Sequence, residues 1–135
     1  MDARGVPLDD KTAMAWLASA DVGRLAVVVR GHPFIFPVNH RVIDGVVFFR
    51  TDDGVKLDGV LTSPSVAFEA DGIDPDTGEA WSVIVAGKAQ AVAGADRLAE
   101  IEPLLPSTIT GAEPPFVVEI RPNEISGRTH RPPSN

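Results

Sequence analysis

Short alternating runs of apolar and polar residues fill the middle of the chain and predict a mainly β protein. Six runs carry the pattern, at 24–30, 34–43, 46–51, 63–71, 80–92 and 116–120. Strands at this spacing, joined by hairpin turns, are typical of a small antiparallel barrel, with a sandwich as the alternative. We therefore expect about six strands in a barrel.

Helical spacing of apolar residues predicts three short helices flanking these strands. The first begins after a cap at Asp9 or Asp10 and ends before Gly23, since glycine is favoured just past a helix end. The stretch 48–61, FFRTDDGVKLDGVL, begins as a strand and ends as the second helix. The third spans 94–105.

Glycine and proline positions predict how the strands connect. Asp44-Gly45 between two β-rich runs is a strong hairpin signal, because a type I′ turn needs positive φ at both central residues. We place another turn at 31–33 and a bulge at Gly87. Pro37 interrupts its strand and predicts an edge, a bulge, or backbone that faces something other than a neighbouring strand.

Two strands, 24–30 and 80–92, are apolar on both faces. Such a pattern indicates that either a helix or a second subunit covers the outer face.

The pattern predicts a single domain over the whole chain, 1–135. We expect residues 1–8 and 130–135 to be flexible, 107–115 to be an irregular link, and the tail to add a short strand around Ile125.

Composition excludes several classes of protein. The 135 residues are 44% hydrophobic and 23% charged, with a net charge of −7, which disfavours binding to nucleic acid or anionic membranes. There is no cysteine, and none of the three histidines has i, i+4 spacing, so a protein-built metal site is not expected. No apolar run approaches the roughly 18 to 20 residues of a membrane span, and the N-terminus lacks a secretory apolar region. We expect a cytoplasmic protein.

The junction between strand and helix at 50–56 carries the clearest candidate chemistry. A helix N-terminus favours an anion, Thr51 offers a hydroxyl, and Arg50 and Lys56 offer charge. In the alternative interpretation, Asp52 or Asp53 caps the helix and already supplies the anion, and Lys56 is solvated. Spacing alone favours the second interpretation.

Three other side chains have two interpretations each. His40 shares a face with apolar residues, which is typical of a hydrogen-bonded structural histidine, although an axial haem ligand remains an alternative. Trp81 is a core or interface anchor by default and a stacking partner for a planar ligand otherwise. Arg128 and His130 fall in the tail and are expected to be solvated.

The ordered string of motifs resembles the pyridoxamine 5′-phosphate oxidase-like family of flavin-binding split barrels. The resemblance covers about 10–129 and rests on four segments. They are GRLA (23–26), PVN (37–39), FRTDDGVKL (49–57) and AWSV (80–83). The family implies a six-stranded antiparallel split β-barrel and a homodimer with flavin sites at the subunit interface.

The resemblance also implies roles for individual residues. Arg50, Thr51 and Lys56 match the segment that holds the FMN phosphate. Pro37, Val38 and Asn39 match the strand whose backbone follows the isoalloxazine ring, and Trp81 and Ser82 match a strand that borders the ring from the other subunit.

The expected function is therefore an FMN-dependent oxidoreductase acting on an unidentified small molecule. True pyridoxamine phosphate oxidases are longer and end in an Arg-x-His segment that grips the substrate. Arg128 and His130 reproduce only those two residues of it, so vitamin B6 oxidation is not expected. The alternative is a non-catalytic binding module, or a reductase, that holds a deazaflavin or haem in the same barrel.

Overall fold

The computed structural model describes residues 5–107 and 114–131, which form eight strands and three helices. The strands are β1 (Val6–Leu8), β2 (Val22–Val29), β3 (His32–Asn39), β4 (Arg41–Ile43), β5 (Val46–Thr51), β6 (Ser65–Ile73), β7 (Ala80–Ala91) and β8 (Phe116–His130). The helices are α1 (Asp10–Ser19), α2 (Val55–Thr62) and α3 (Ala95–Ile101), and a 3₁₀ turn (Glu102–Leu104) follows α3.

All the strands belong to one antiparallel sheet. Its order is β3-β2-β6-β7-β8-β5-β4, with β1 paired to β8 off this path. The two end strands, β3 and β4, are separated in sequence by His40 alone, so the sheet has to curl and bring its two edges close together, although β3 and β4 are not paired with each other. This curled sheet confirms the split barrel. The six long strands correspond to the six predicted runs, but the run 34–43 was wrong as a single strand because the chain breaks at His40 into β3 and the short β4. The other short strand, β1, was not predicted.

The inner face of the curled sheet encloses the main core. Strand β5 shows the predicted alternation, because Val47, Phe49 and Thr51 point inward and are almost completely buried. Helices α1 and α2 complete the core with Leu17 and Leu57, which belong to the same buried cluster.

Helix α3 covers part of the outer face, beside β5 and β8. Phe48 of β5 and Val117 of β8 form a second apolar cluster with Ile101 of α3. The buried carboxylate of Glu119 lies on the same face, where Gln90 Nε2 donates to it at 2.5 Å. Two arginines also donate to Glu119, which therefore has hydrogen-bond partners for both oxygens. They are Arg97, at 3.1 Å, and Arg121, at 3.3 Å.

The outer face of β3, β2, β6 and β7 carries exposed apolar residues. Cross-strand pairing places Ile35, Ala26, Ala67 and Ala86 in one row across it. Ile35 is 69% exposed, and Ile84 on the same face is 49% exposed. The apolar outer side of 24–30 and 80–92 is thus not buried by a helix in the described part of the chain.

Three local predictions are confirmed. Asp9 caps α1, its carboxylate accepting from the Thr12 N–H at 2.7 Å. Asp44 and Gly45 both have positive φ in the β4–β5 hairpin. The pairing of β7 with β8 shifts register between Ala86 and Gly87, where a bulge was expected.

Other local predictions were wrong or lie outside the described residues. The β2–β3 turn is formed by Arg30 and Gly31, so His32 and Pro33 belong to β3. Residues 6–8, expected to be flexible, form β1. The predicted link 107–115 falls mostly outside the described residues, as do the termini.

The largest correction concerns the C-terminal segment. β8 continues as one strand to His130, since β7 pairs with it along almost its full length. None of the described helices combines the length and apolarity that a membrane crossing requires.

Candidate functional site

The junction between β5 and α2 ends in a helix N-terminus that has no side-chain cap. The cap position is Gly54, and neither Asp52 nor Asp53 makes a capping hydrogen bond. Gly54 has φ 155° and ψ −158°, a conformation that only glycine adopts readily. The interpretation in which an aspartate caps the helix is therefore wrong. The N–H groups of the first turn and the positive end of the helix dipole remain available to an anion.

Two cations and a hydroxyl surround this helix terminus. Arg50 Nη2 donates to the Glu102 carbonyl at 3.2 Å, which uses one of its five N–H donors. Thr51 is buried and its hydroxyl donates to the Asp52 carbonyl at 3.0 Å. Lys56 Nζ lies 5.6 Å from the centroid of the Phe36 ring, a cation–π contact.

A cavity of about 300 Å³ adjoins these groups and brings six of the eight predicted site residues together. Its lining is Pro37, Val38, Asn39, Arg50, Thr51, Asp52, Lys56, Pro106, Ser107 and Pro114. The phosphate-binding and ring-binding segments predicted from the sequence therefore share one cavity.

One wall of the cavity is the end of strand β3. Among the described strands β3 pairs only with β2, so Pro37 lies at a sheet edge, as its missing N–H predicted. The Asn39 amide donates to the Ser107 carbonyl at 2.7 Å and ties this wall to the segment after α3. The backbone of β3 is thus free of a second strand where it borders the cavity.

Trp81 and Ser82 do not line this cavity. Trp81 packs edge-on against Trp16, with ring centroids 5.6 Å apart, and its ring also contacts the backbone at Gly72. Ser82 is half-buried and pairs with Asp71 on one side and Arg128 on the other. Within a single chain Trp81 is therefore a packing residue.

His40 lies in the core between β3 and β4. Its Nε2 is 2.9 Å from the Leu17 carbonyl, so Nε2 carries the proton and donates. Burial lowers the pKa of His40 despite that hydrogen bond and the nearby Asp21 carboxylate. The Nδ1 atom is buried without a hydrogen-bond partner. A histidine held in this way is a structural residue and has no ring nitrogen directed to an open haem site.

Arg128 and His130 are strand residues and not a solvated tail. Arg128 pairs with Ser82 of β7 and with Pro7 of β1, and His130 pairs with Ala80. Neither lines the cavity. The Arg-x-His pattern is therefore part of the sheet in this chain.

Comparison with known proteins identifies the family. The sequence profile described as pyridoxamine 5′-phosphate oxidase matches residues 9–129. The chain belongs to this family. The uncharacterised protein Rv0080 of Mycobacterium tuberculosis is 38% identical to it over 128 residues, which cover 86% of this chain and 84% of that protein.

Two solved structures resemble this member of the pyridoxamine 5′-phosphate oxidase family along nearly their whole lengths. One is a candidate pyridoxamine 5′-phosphate oxidase of Corynebacterium glutamicum, with a TM-score of 0.84, 31% identity and 99% coverage of both chains. The other is the FAD-binding protein of Mycobacterium smegmatis, with a TM-score of 0.76 and 33% identity, covering 93% of this chain and 98% of that one.

Four of the residues that line the cavity were not predicted from the sequence as site residues. Asp52 was interpreted as a possible helix cap next to the site and not as a binding residue. Pro106, Ser107 and Pro114 flank the irregular segment between α3 and β8. Their composition predicts a loop and nothing else, because the hydrogen bond that ties Ser107 to the cavity wall comes from Asn39, a residue distant in sequence. A second bond, from Arg50 to the Glu102 carbonyl, holds the 3₁₀ turn that precedes this loop.

Proposed function

We propose that this protein binds a flavin nucleotide, FMN in the simplest case, and acts as a flavin-dependent oxidoreductase on a small molecule. The observation that carries the proposal is the uncapped N-terminus of α2 beside Arg50, Thr51 and Lys56 in one cavity. Those donors match a phosphate group, which accepts several charge-assisted hydrogen bonds at once.

The chain's net charge of −7 makes this local arrangement more informative. A protein with that charge repels anions in general, so a phosphate would depend on donors concentrated at one place. Asp52 lines the same cavity but is exposed to solvent, which screens its repulsion. The residues present therefore fit a phosphate. On binding, Arg50 and Thr51 would donate to the phosphate in place of the Glu102 and Asp52 carbonyls.

The rest of the cavity suits a flat ring. Pro37 and Val38 supply an apolar wall, and the unpaired edge of β3 supplies backbone groups for the polar rim of a flavin. A flavin, once bound, supplies the electron or hydride transfer, and the protein's part is to hold and orient it. The M. smegmatis relative, named as an FAD-binding protein, supports a flavin ligand here.

The test is a titration of the purified protein with FMN and with riboflavin. FMN at 100 times its dissociation constant should stabilise the fold by about 2.7 kcal/mol, a rise in melting temperature on the order of 10 °C. Riboflavin, without the phosphate, should bind more weakly. A protein that neither compound stabilises would overturn the proposal.

The non-catalytic binding module stays an alternative, and a deazaflavin stays an alternative ligand. Reduction assays with the flavin-loaded protein separate enzyme from carrier, since an oxidoreductase must pass electrons to or from its flavin. A carrier would hold FMN with no such turnover.

We further propose that the protein is a homodimer through the exposed outer face of β3, β2, β6 and β7. Its exposed Ile35, Val28 and Ile84 surround small alanines, a composition suited to close packing of two sheets. A second copy would also be required for Ser82, which is remote from the cavity in one chain, to border a flavin ring as the resemblance implies. Light scattering in solution measures the mass directly.

A further inference from the structure

Two carboxylates on the outer face of β6 share one cation. Arg24 Nη1 lies 2.8 Å from a carboxylate oxygen of Glu69 and 2.7 Å from one of Asp71. All three side chains are partly exposed to solvent. One nitrogen atom therefore serves two anions, and one positive with two negative charges leaves the group at −1 when both carboxylates are ionised.

These carboxylates border the exposed apolar part of the same face. Cross-strand pairing places Ile84 of β7 directly beside Glu69, and Ala67 of the alanine row lies two residues before Glu69 on β6. On the other side of Glu69 is Arg24, which in turn pairs with Pro37 of edge strand β3. A partner that covers the apolar residues therefore also covers Glu69 and removes it from water.

A second copy of the chain is the partner that suits this face. The chain has a net charge of −7, so most of its surface repels a copy, whereas this face concentrates alanines and exposed apolar side chains. Four strands about 4.8 Å apart and about 30 Å long offer roughly 600 Å² on each copy, or about 1,200 Å² in a pair, the lower end of the range of stable interfaces. Two identical sheets can also approach closely across their small residues.

Covering the carboxylates makes their excess negative charge unfavourable. An ionised carboxylate leaves water at a high cost in free energy unless a cation or a proton neutralises it, and Arg24 neutralises one of the two. Burial, followed by a hydrogen bond with Asp71, raises the pKa of Glu69 even in a single chain and despite Arg24. A proton held between the two carboxyl groups removes the excess charge and supplies an O–H donor.

The other ionisable groups at this end of the face lie farther from Glu69. Asp71 pairs with Ser82 of β7, which pairs with Arg128 of β8, so Arg128 is two strands away from the carboxylates. His130 follows in the next row of β8. The two residues that β3 brings to these rows, 37 and 39, are not ionisable. Arg24 is thus the cation in contact with both carboxylates.

We propose that this face pairs with a second copy through a proton-linked contact, in which Glu69 and Asp71 together take up one proton per chain as the dimer forms. The inference rests on the proposed homodimer and adds what controls its strength. Covering the face raises the pKa of Glu69 further. The contribution of the proton to the dimer is therefore complete at low pH and is lost as the pH rises through the value in the dimer.

The test measures the dissociation constant of the dimer by sedimentation equilibrium at pH 7.5 and pH 6.0, a range in which ordinary carboxylates stay ionised. The wild-type constant should be about tenfold lower at pH 6.0, because two sites in each dimer take up a proton. Glu69→Gln keeps the size and the hydrogen-bonding groups of a protonated glutamate. It should dimerise equally well at both pH values, and at pH 7.5 more tightly than the wild-type protein.

The matched control is Glu100→Gln, which makes the same change in net charge at an exposed position of α3, away from this face. It should keep the wild-type dependence on pH. Histidines also titrate near these pH values, but all the variants share them. Asp71→Asn is the second variant should Glu69→Gln fold poorly, and it should lose the pH dependence too, because the two carboxylates share one excess charge.

The outcomes are distinguishable. A wild-type dimer of equal strength at both pH values, or a Glu69→Gln dimer that responds to pH as Glu100→Gln does, overturns the proton link while the homodimer stands. A chain that stays monomeric at every pH and concentration overturns the homodimer and the proton link together. The flavin site is tested separately by its own titration.

Discussion

Replacing Lys56 by methionine isolates the charge at the phosphate end of the cavity. Methionine keeps an unbranched apolar stem over the Phe36 ring and removes the ammonium group. A hydrogen bond to a charged group contributes about 1.5 to 3 kcal/mol. Lys56 is half-buried at an open cavity, so we take the lower value because solvent screens the pair.

About 1.4 kcal/mol is a factor of ten in a dissociation constant. We therefore expect Lys56→Met to weaken FMN binding about tenfold and to leave riboflavin binding unchanged. The lost cation–π contact, worth about 0.5 to 1 kcal/mol at such a site, lowers the melting temperature of the ligand-free protein by a few degrees.

Isothermal titration calorimetry with both compounds is the assay. Lys88→Met is the matched control, since it makes the same change in net charge on β7, where the Lys88 ammonium donates to Ser65 Oγ at 2.6 Å. Equal losses for FMN and riboflavin, or an equal effect of Lys88→Met on FMN, would refute the reasoning.

Three further predictions concern the fold and its assembly. The melting temperature of the wild-type protein should fall between pH 7 and pH 5, and that of His40→Gln should fall less steeply. Burial lowers the folded-state pKa of His40, so its stabilising effect is complete above the unfolded value of about 6.5 and is lost as the pH falls through the folded value. An equal change of melting temperature with pH in the variant and the wild-type protein would contradict this. Gly23→Ala should cost roughly 1 to 3 kcal/mol in urea unfolding, because the new Cβ would lie 2.2 Å from the Phe68 ring; a neutral effect would mean that the ring moves aside freely. Ile84→Glu should give a monomer by light scattering, whereas Leu104→Glu, at a 50% exposed position in the 3₁₀ turn after α3, should leave the mass unchanged. A dimeric Ile84 variant would show that the interface lies elsewhere.

Sequence predicts strand β5 well because each of its positions has a distinct environment on one of two faces. Val47 and Phe49 enter the main core, whereas Phe48 enters the cluster under α3, so alternation in the sequence reproduces alternation in space. Pro37 was equally informative, since a residue without an N–H belongs at an edge and β3 is one.

The C-terminal half of β8 is harder to predict because pairing with the neighbouring strands β7 and β1, and not its own composition, makes it a strand. Residues 121–130 are largely polar and include Pro122, a composition typical of a tail. They form a strand because β7 pairs along them, with a bulge at Gly87 that accommodates Pro122. A Cβ at Gly87 would lie 2.3 Å from the Arg121 carbonyl oxygen, so the bulge needs glycine. The pairing joins residues 80–91 to residues 116–130, which are distant in sequence, so no short stretch of the sequence predicts it.

Six of the residues that line the cavity were named from the resemblance, whereas spacing alone pointed to a different interpretation of the junction. Spacing favoured a capped helix, because Asp52 and Asp53 are good capping residues in the right place. The chain instead uses Gly54 at the cap position, and an open helix terminus of this kind is visible only in three dimensions.

The two prolines of β3 have a consequence for solubility. The edge strand carries three consecutive apolar residues of high β propensity, 34–36, of which Ile35 is the most exposed at 69%. An apolar edge strand of this kind is a template for intermolecular sheets and aggregation. Pro33 and Pro37 bracket the segment, and neither has an N–H to offer to an incoming strand. They act as gatekeepers, limiting any foreign strand to the few positions between them. The edge can therefore remain apolar and unpaired while offering few backbone positions for pairing with another chain.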